Sequence, residues 1–264
     1  MKQMYLTPVN KDKDCCKRAT SHLININLLR KQRNYVLFIL IFLMVSIHAG
    51  AQKTNYNLGF RIAPNLGWLK PDAEDFVSKG SHLGFSWGFV SEFELTENYL
   101  LVTGFNVLQN RGELKYREQM AIPPDSILLE GWNHRKYSLK YLQIPLTLKL
   151  RTNELGYFRY YGQIGLGTGF LISAKTDEDF YSGTQTKGSE NKNIYDDISK
   201  IRLSLLLEAG VEYKIEGFST LVFGIRFDNG FTNVLSFDNY YLNDVDPFAI
   251  GNTVELTLGI LINP

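Results

Sequence analysis

Residues able to pair, bind or catalyse recur at alternate positions along this chain. Arg61, Glu92, Arg159, Arg202, Glu208, Arg226, Asp228 and Glu255 each stand between bulky or small uncharged neighbours. That spacing sends charge to one face of a strand and hydrocarbon to the other. Guanidinium groups and carboxylates are present in equal number, so they could neutralise one another in a narrow interior. The same set could line a water-filled passage. If eight such strands closed into a barrel, its interior would be only just wide enough for side chains, so a salt-bridged plug is expected rather than a pore.

Signals for enzymatic or cofactor chemistry are sparse. Past residue 51 the only histidines are His82 and His134, both in segments that read as loops. Gly162 to Gly169 contains a GxGxG pattern, but it sits inside a strand pattern with no helix after it. Small inward residues of a tight barrel explain it better than a phosphate cradle. The acids Asp177, Glu178 and Asp179, and the acids Asp238, Asp244 and Asp246, lack the ligand spacing of a calcium loop and read as solvated charge. No cofactor, metal or catalytic residue is expected.

The formal charge of +1 hides two unlike parts. Residues 1–51 carry eight Lys/Arg against two Asp/Glu, and the remainder carries 20 against 25. An acidic body argues against nucleic acid as a partner, because such binding neutralises phosphates with basic surface. In the leader, Arg30, Lys31 and Arg33 precede the apolar run from Tyr35 to Ile47, and Ala49-Gly50-Ala51 follows. This is the pattern of a secretory signal peptide cleaved after Ala51. As a helix the run would rise only about 20 Å, short of the ~30 Å hydrocarbon core of a membrane. The long preface before Arg30 suggests translation starting near Leu28 or Leu29. The domain division is therefore 1–51, extension and signal peptide, and 52–264, the exported body. Both cysteines, Cys15 and Cys16, fall in the leader, so the body has no disulfide.

The body alternates with period two in eight places. The strands centre on Leu58–Trp68, Leu83–Leu95, Tyr99–Val107, Tyr137–Leu150, Phe158–Ile172, Ile201–Lys214, Leu221–Asp228 and Thr253–Ile262. Each is long enough for the 9 to 11 or so residues of a tilted membrane-spanning strand. Connections alternate between short (Thr96 to Asn98, Thr152 to Gly156, Glu216-Gly217) and long (Lys70 to His82, Gly112 to Lys136, Ala174 to Lys200, Thr232 to Asn252). Short turns on one side and long loops on the other are the plan of an outer-membrane barrel. In the fourth strand alternation changes phase near Leu142-Gln143, which predicts a β-bulge beside Pro145. A lipocalin-like barrel would put the apolar face inside. Here the apolar face is almost free of charge while the other mixes Gly, Ser and Thr with Arg and Glu, so the apolar face meets lipid. Tyr56, Phe93, Tyr99, Phe158, Tyr160 and Tyr213 fall toward one rim, and Trp68, Phe85, Phe170 and Phe231 toward the other, as two aromatic girdles. The fold expected is all-β: an eight-stranded antiparallel up-and-down transmembrane β-barrel.

The segment Tyr141-Leu142-Gln143-Ile144-Pro145-Leu146-Thr147-Leu148-Lys149 resembles the Tyr-Leu-x-Ile-Pro-x-x-x-Lys strand of PorT-like outer-membrane barrels of Bacteroidetes. Gly59-Phe60, Gly104-Phe105 and the glycines from Gly162 to Gly169 are similar to the same family. The carboxyl end, Ile262-Asn263-Pro264, departs from the terminal aromatic common in outer-membrane barrels. The resemblance implies an outer-membrane location, contact with lipid, and a link to type IX secretion machinery. Three functions follow as expectations. The first is a structural or accessory barrel whose loops meet secretion-machinery or other envelope proteins. The second is a small-solute channel. The third is a lipid-modifying enzyme, which would need a His or Ser with an acid partner at the lipid-facing rim, His82 and His134 being the histidines available.

Overall fold

The computed structural model describes residues 55–72, 76–122, 127–183, 185–215, 219–236 and 247–263. The leader with its cleavage site, and Asp238, Asp244 and Asp246, lie outside the described residues.

Alternation of this kind produces nine antiparallel strands among the described residues. They are β1 (Tyr56–Pro71), β2 (Val77–Thr96), β3 (Tyr99–Ile122), β4 (Ile127–Arg151), β5 (Phe158–Ser182), β6 (Gln185–Asn193), β7 (Ile201–Lys214), β8 (Ser219–Gly230) and β9 (Ala249–Ile262). Consecutive strands pair with each other except β6 and β7, and β5 pairs with β7 instead. β9 pairs back onto β1, from Leu58 opposite Ile262 to Pro71 opposite Ala249, which closes eight strands into a ring. Closure removes the open edges that a flat sheet would leave unpaired in lipid. The ninth strand, β6, pairs only with β5, above the ring.

The outward face is a belt of hydrocarbon. Leu58, Phe60 and Ile62 on β1, Phe85, Trp87 and Phe89 on β2, Ile144 and Leu146 on β4, and Ile225 and Leu256 across from each other on β8 and β9 are all exposed. A protein surface this apolar is stable only against lipid. Tyr56, Phe93, Tyr99, Phe158 and Tyr160 ring the rim with the short turns, while Phe170 and Phe231 stand toward the opposite rim. Trp68 stacks on Phe227 with ring centroids 6.2 Å apart.

Two sequence expectations need correction. The segments from Lys70 to His82, Gly112 to Lys136 and Ala174 to Lys200 are largely strand, not loop. β3 and β4 remain paired out to Ile122 opposite Ile127, and β5 runs on to pair with β6. Alternation persists there, but Arg111, Lys115 and Arg117 replace apolar residues on the outward face while Leu114, Tyr116, Tyr137 and Leu139 fill the inward one. A search for outward hydrocarbon misses strands that have left the membrane. The expected bulge in β4 is also absent. Residues from Asn133 to Lys149 keep one inward phase throughout, and the register shift lies on β5, where Tyr141 pairs Leu171 and Lys140 pairs Ser173. Ile172 is the extra residue. The apparent change of phase in β4 is a change in lumen chemistry, from the apolar Tyr137, Leu139 and Tyr141 to the polar Gln143, Thr147 and Lys149.

Candidate functional site: the filled lumen and the outer sheet

Register builds the lumen. Arg226 on β8 stands directly opposite Glu208 on β7 and Glu255 on β9. Its guanidinium pairs with Glu208, and Arg61 from β1 pairs with Glu255. Tyr161 donates its hydroxyl to the second oxygen of Glu208 at 2.8 Å, and Ser86 donates to Glu255 at 3.1 Å. Toward the short-turn rim, Lys149 sits between Glu92, at 2.6 Å, and Glu212, with the Tyr161 ring 4.4 Å away. Toward the other rim, Arg202 pairs with Asp228 at 2.6 Å and also donates to the Gly251 carbonyl at 2.7 Å. Gln143 donates to Asp228 at 2.7 Å.

Arg61, Glu92, Arg202, Glu208, Arg226, Asp228 and Glu255 are thus brought together as three stacked layers, each charge facing an opposite one. Arg159 is the exception. It is the second residue of β5, at the short-turn rim, and binds Glu154 on the adjoining turn with its side chain partly exposed. Lys214 donates to the same Glu154 at 3.0 Å, and this bond together with Arg159 keeps that carboxyl below its ordinary pKa. Lys149, Glu212 and Gln143 belong to the lumen network although charge on bulk alternation alone did not single them out. Glu212 continues the inward series of Arg202 and Glu208 on β7, a signal present in the sequence.

The strand motif divides between the two faces. Tyr141, Pro145 and Lys149 point inward, Ile144 meets lipid, and Leu142 is half-buried. Thr103 donates to the Pro145 carbonyl at 2.9 Å. The glycines of β5 make room: a Cβ on Gly167 would come within 2.8 Å of the Gln143 amide. No helix or phosphate cradle is formed there.

Above the charged layers, Leu69, Leu114, Tyr116, Tyr137, Leu139, Leu171, Ala174, Ile198 and Val234 form a buried apolar cap. The free space between the layers around Arg61, Lys149 and Arg226 is about 30 Å³, room for one or two waters. A larger cavity of about 480 Å³ opens at the short-turn rim, lined by Glu94, Arg151, Glu154, Arg159, Lys214 and their neighbours.

Outside the membrane belt, β3, β4, β5 and β6 continue as a four-stranded sheet. On its inner face Arg135 binds Glu178 at 2.6 Å and Glu118 at 3.5 Å, and Lys192 reaches Glu178 at 3.0 Å. Burial raises the Glu178 pKa, but Arg135 and hydrogen bonds from Asn133, Arg135 and Lys192 outweigh it and bring it down to about 2. Asp177 and Asp179 face the other way, so the three consecutive acids form no cluster. On the outer face His82 lies 3.2 Å from one oxygen of Glu113, and His134 lies 3.9 Å from the other. Burial and the neighbouring Lys115 hold His134 below its ordinary pKa.

Comparison with known proteins follows this geometry. Residues 50–236 match the family model of the outer membrane protein beta-barrel domain. No curated protein matches the sequence. Among solved structures, the chain is similar to the neisserial surface protein NspA (14% identity over 79% of this chain and 97% of that one, TM-score 0.42). It is similar to Ail of Yersinia pestis (14% identity, 79% and 99% covered, TM-score 0.35). It is also similar to the outer membrane protease OmpT of Escherichia coli (7% identity, 81% and 99% covered, TM-score 0.37).

Proposed function

The chain belongs to the outer membrane protein beta-barrel domain family, and on that premise we propose that it is a sealed, non-enzymatic barrel that carries a β-sheet platform for an envelope protein partner. It resides in the outer membrane. In such barrels the short turns face the periplasm, so the platform of β3, β4, β5 and β6 stands outside the cell. The observation that carries this reading is the filled lumen. Paired charges and an apolar cap occupy the space a solute would need, which leaves the projecting sheet as the working surface. The channel reading loses its support for the same reason.

A link to secretion of the type IX kind rests on the PorT-like strand from Tyr141 to Lys149. Alternate residues of that strand, Lys149 among them, line the lumen, so the motif supports shared architecture first. The export route is part of the proposal: residues 1–51 act as extension and signal peptide, and residues 52–264 are the barrel.

Photocrosslinking tests the platform. A benzophenone amino acid replaces Leu128 or Tyr181, both exposed on the outer sheet, or Asn153 on a periplasmic turn. Adducts of defined mass in living cells at the first two positions and none at the third are expected. Adducts confined to Asn153 would reverse the assignment of the working face. Deletion of the gene should reduce secretion if the type IX link holds, and unchanged secretion removes that link.

One observation favours a second reading. His82 and His134 converge on Glu113 on the outer face beyond the belt, where a carboxylate could orient an imidazole as a general base toward a lipid headgroup. Lipid profiles that stay the same in a His82→Ala, His134→Ala double variant would eliminate it.

A further inference from the structure

The geometry points to a phosphate-binding site for outer-leaflet lipid on the outward face of β3, β4 and β5. Ser138 on β4 lies directly opposite Arg111 on β3 and Lys175 on β5. Lys140, two residues along β4, lies opposite Gln109 and Ser173. Adjacent strands are about 4.8 Å apart and alternate residues about 7 Å apart, so three cations surround one hydroxyl within the reach of a single phosphate. Arg111, Lys140 and Lys175 are all exposed on this face.

Arg111 is preorganised beside Ser138. The Gln109 amide, turned to satisfy both of its ends, accepts from Arg111 Nε at 3.0 Å, from Arg111 Nη2 at 2.9 Å and from Ser138 Oγ at 3.1 Å. That holds the guanidinium beside the hydroxyl. The carboxylates on this face stand one row farther out, where Glu113 and Asp177 flank Lys136. They supply that lysine with opposite charge and leave the inner trio facing the membrane.

Position identifies the occupant. Leu142 on β4 and Ile172 on β5 end the apolar belt, and Lys140 and Lys175 follow two and three residues later. That is about 7 to 10 Å along a tilted strand, which lies within the headgroup layer beyond the hydrocarbon. Cations at this depth meet lipid phosphates, and phosphate accepts strong charge-assisted hydrogen bonds from guanidinium and ammonium groups. The site is continuous with the lipid belt, so its ligand is the phosphorylated headgroup of a lipid already in contact with the barrel.

The test uses the refolded full-length barrel in detergent micelles and native mass spectrometry of retained lipid. The probes are bis-phosphorylated lipid A and the same lipid after enzymatic dephosphorylation. Each cation near a membrane phosphate contributes roughly fivefold in affinity, so a preference of about a hundredfold for the phosphorylated form is expected. In R111Q/K140Q/K175Q that preference should fall to within about threefold, with the same urea midpoint as the parent. Equal retention of both probes by the parent, or an undiminished preference in the variant, overturns the proposal. If the triple variant does not refold, K175Q alone should lose about fivefold, and no loss counts against the site.

Discussion

In the filled lumen one lysine is held between two glutamates. Lys149 is almost fully buried, as are Glu92 and Glu212. Replacing Lys149 with Met leaves two carboxylates facing each other in a low dielectric, and a loss of about 3–5 kcal/mol is expected. Urea unfolding in liposomes would measure it. Neutralising all three, as E92Q/K149M/E212Q, should restore most of the loss, and failure to do so would mean the lysine acts mainly through packing. Glu178 titrates in the accessible range. Its folded pKa of about 2 lies below the ordinary carboxylate value near 4.5, so its contribution is complete above that value and is lost as the pH falls toward 2. Pepsin cleavage of the outer sheet, normalised at each pH to that of an unfolded substrate, should therefore rise between pH 4.5 and 2, and Glu178→Gln should flatten that rise. At this scale the sequence was informative about sign and face but not about partners. Seven of the eight inward charges named from alternation meet an opposite charge in the lumen, whereas Arg159 joins a turn because it begins its strand. The meeting of His82 and His134 on Glu113 had no local signal, since it depends on strands whose pairing continues beyond the membrane.

Strands in this barrel are set by what lies across from them. Gly104 has φ +146°, and a Cβ there would stand 2.1 Å from the Phe89 carbonyl oxygen. Gly104→Ala combines strain with a backbone clash, and a loss of about 1–3 kcal/mol is expected in the same urea assay. A variant as stable as the parent would mean the strand can shift at no cost. Beside it the β3–β4 ladder opens opposite Ile144 and Pro145, because proline has no N–H to give. On β5 the extra residue Ile172 reverses the inward phase, which turns Ala174, Thr176, Glu178 and Phe180 into the outer sheet. Deleting Ile172 would let β5 pair with β4 without a bulge, so that series stays inward and the Arg135–Glu178 pair is kept. Proteinase K should then leave β5 beyond Ser173 as protected as in the parent, and new cleavage there would contradict Ile172 being the extra residue. The eight membrane strands were legible because hydrocarbon on one face is a strong signal. Their extensions were not, because polar alternation resembles loop composition, and the bulge was assigned to the wrong strand because a change of lumen chemistry mimics a change of phase.

The molecule as a whole joins a lipid-facing belt, a filled interior and a sheet that outreaches the membrane. Face alternation and the sorting of connections were enough to read the barrel, since both follow from closing a sheet in lipid. The extent of the outer sheet and the basic trio beside Ser138 became visible only with the register. The central claim is that the lumen is closed, since a closed lumen moves function to the surface. Single-channel recording of the purified barrel in a planar bilayer tests it most directly. The account predicts a silent membrane in 1 M KCl across ±100 mV, an order-of-magnitude test range set by physiological potentials. Reproducible ohmic steps from the unaltered protein would contradict it.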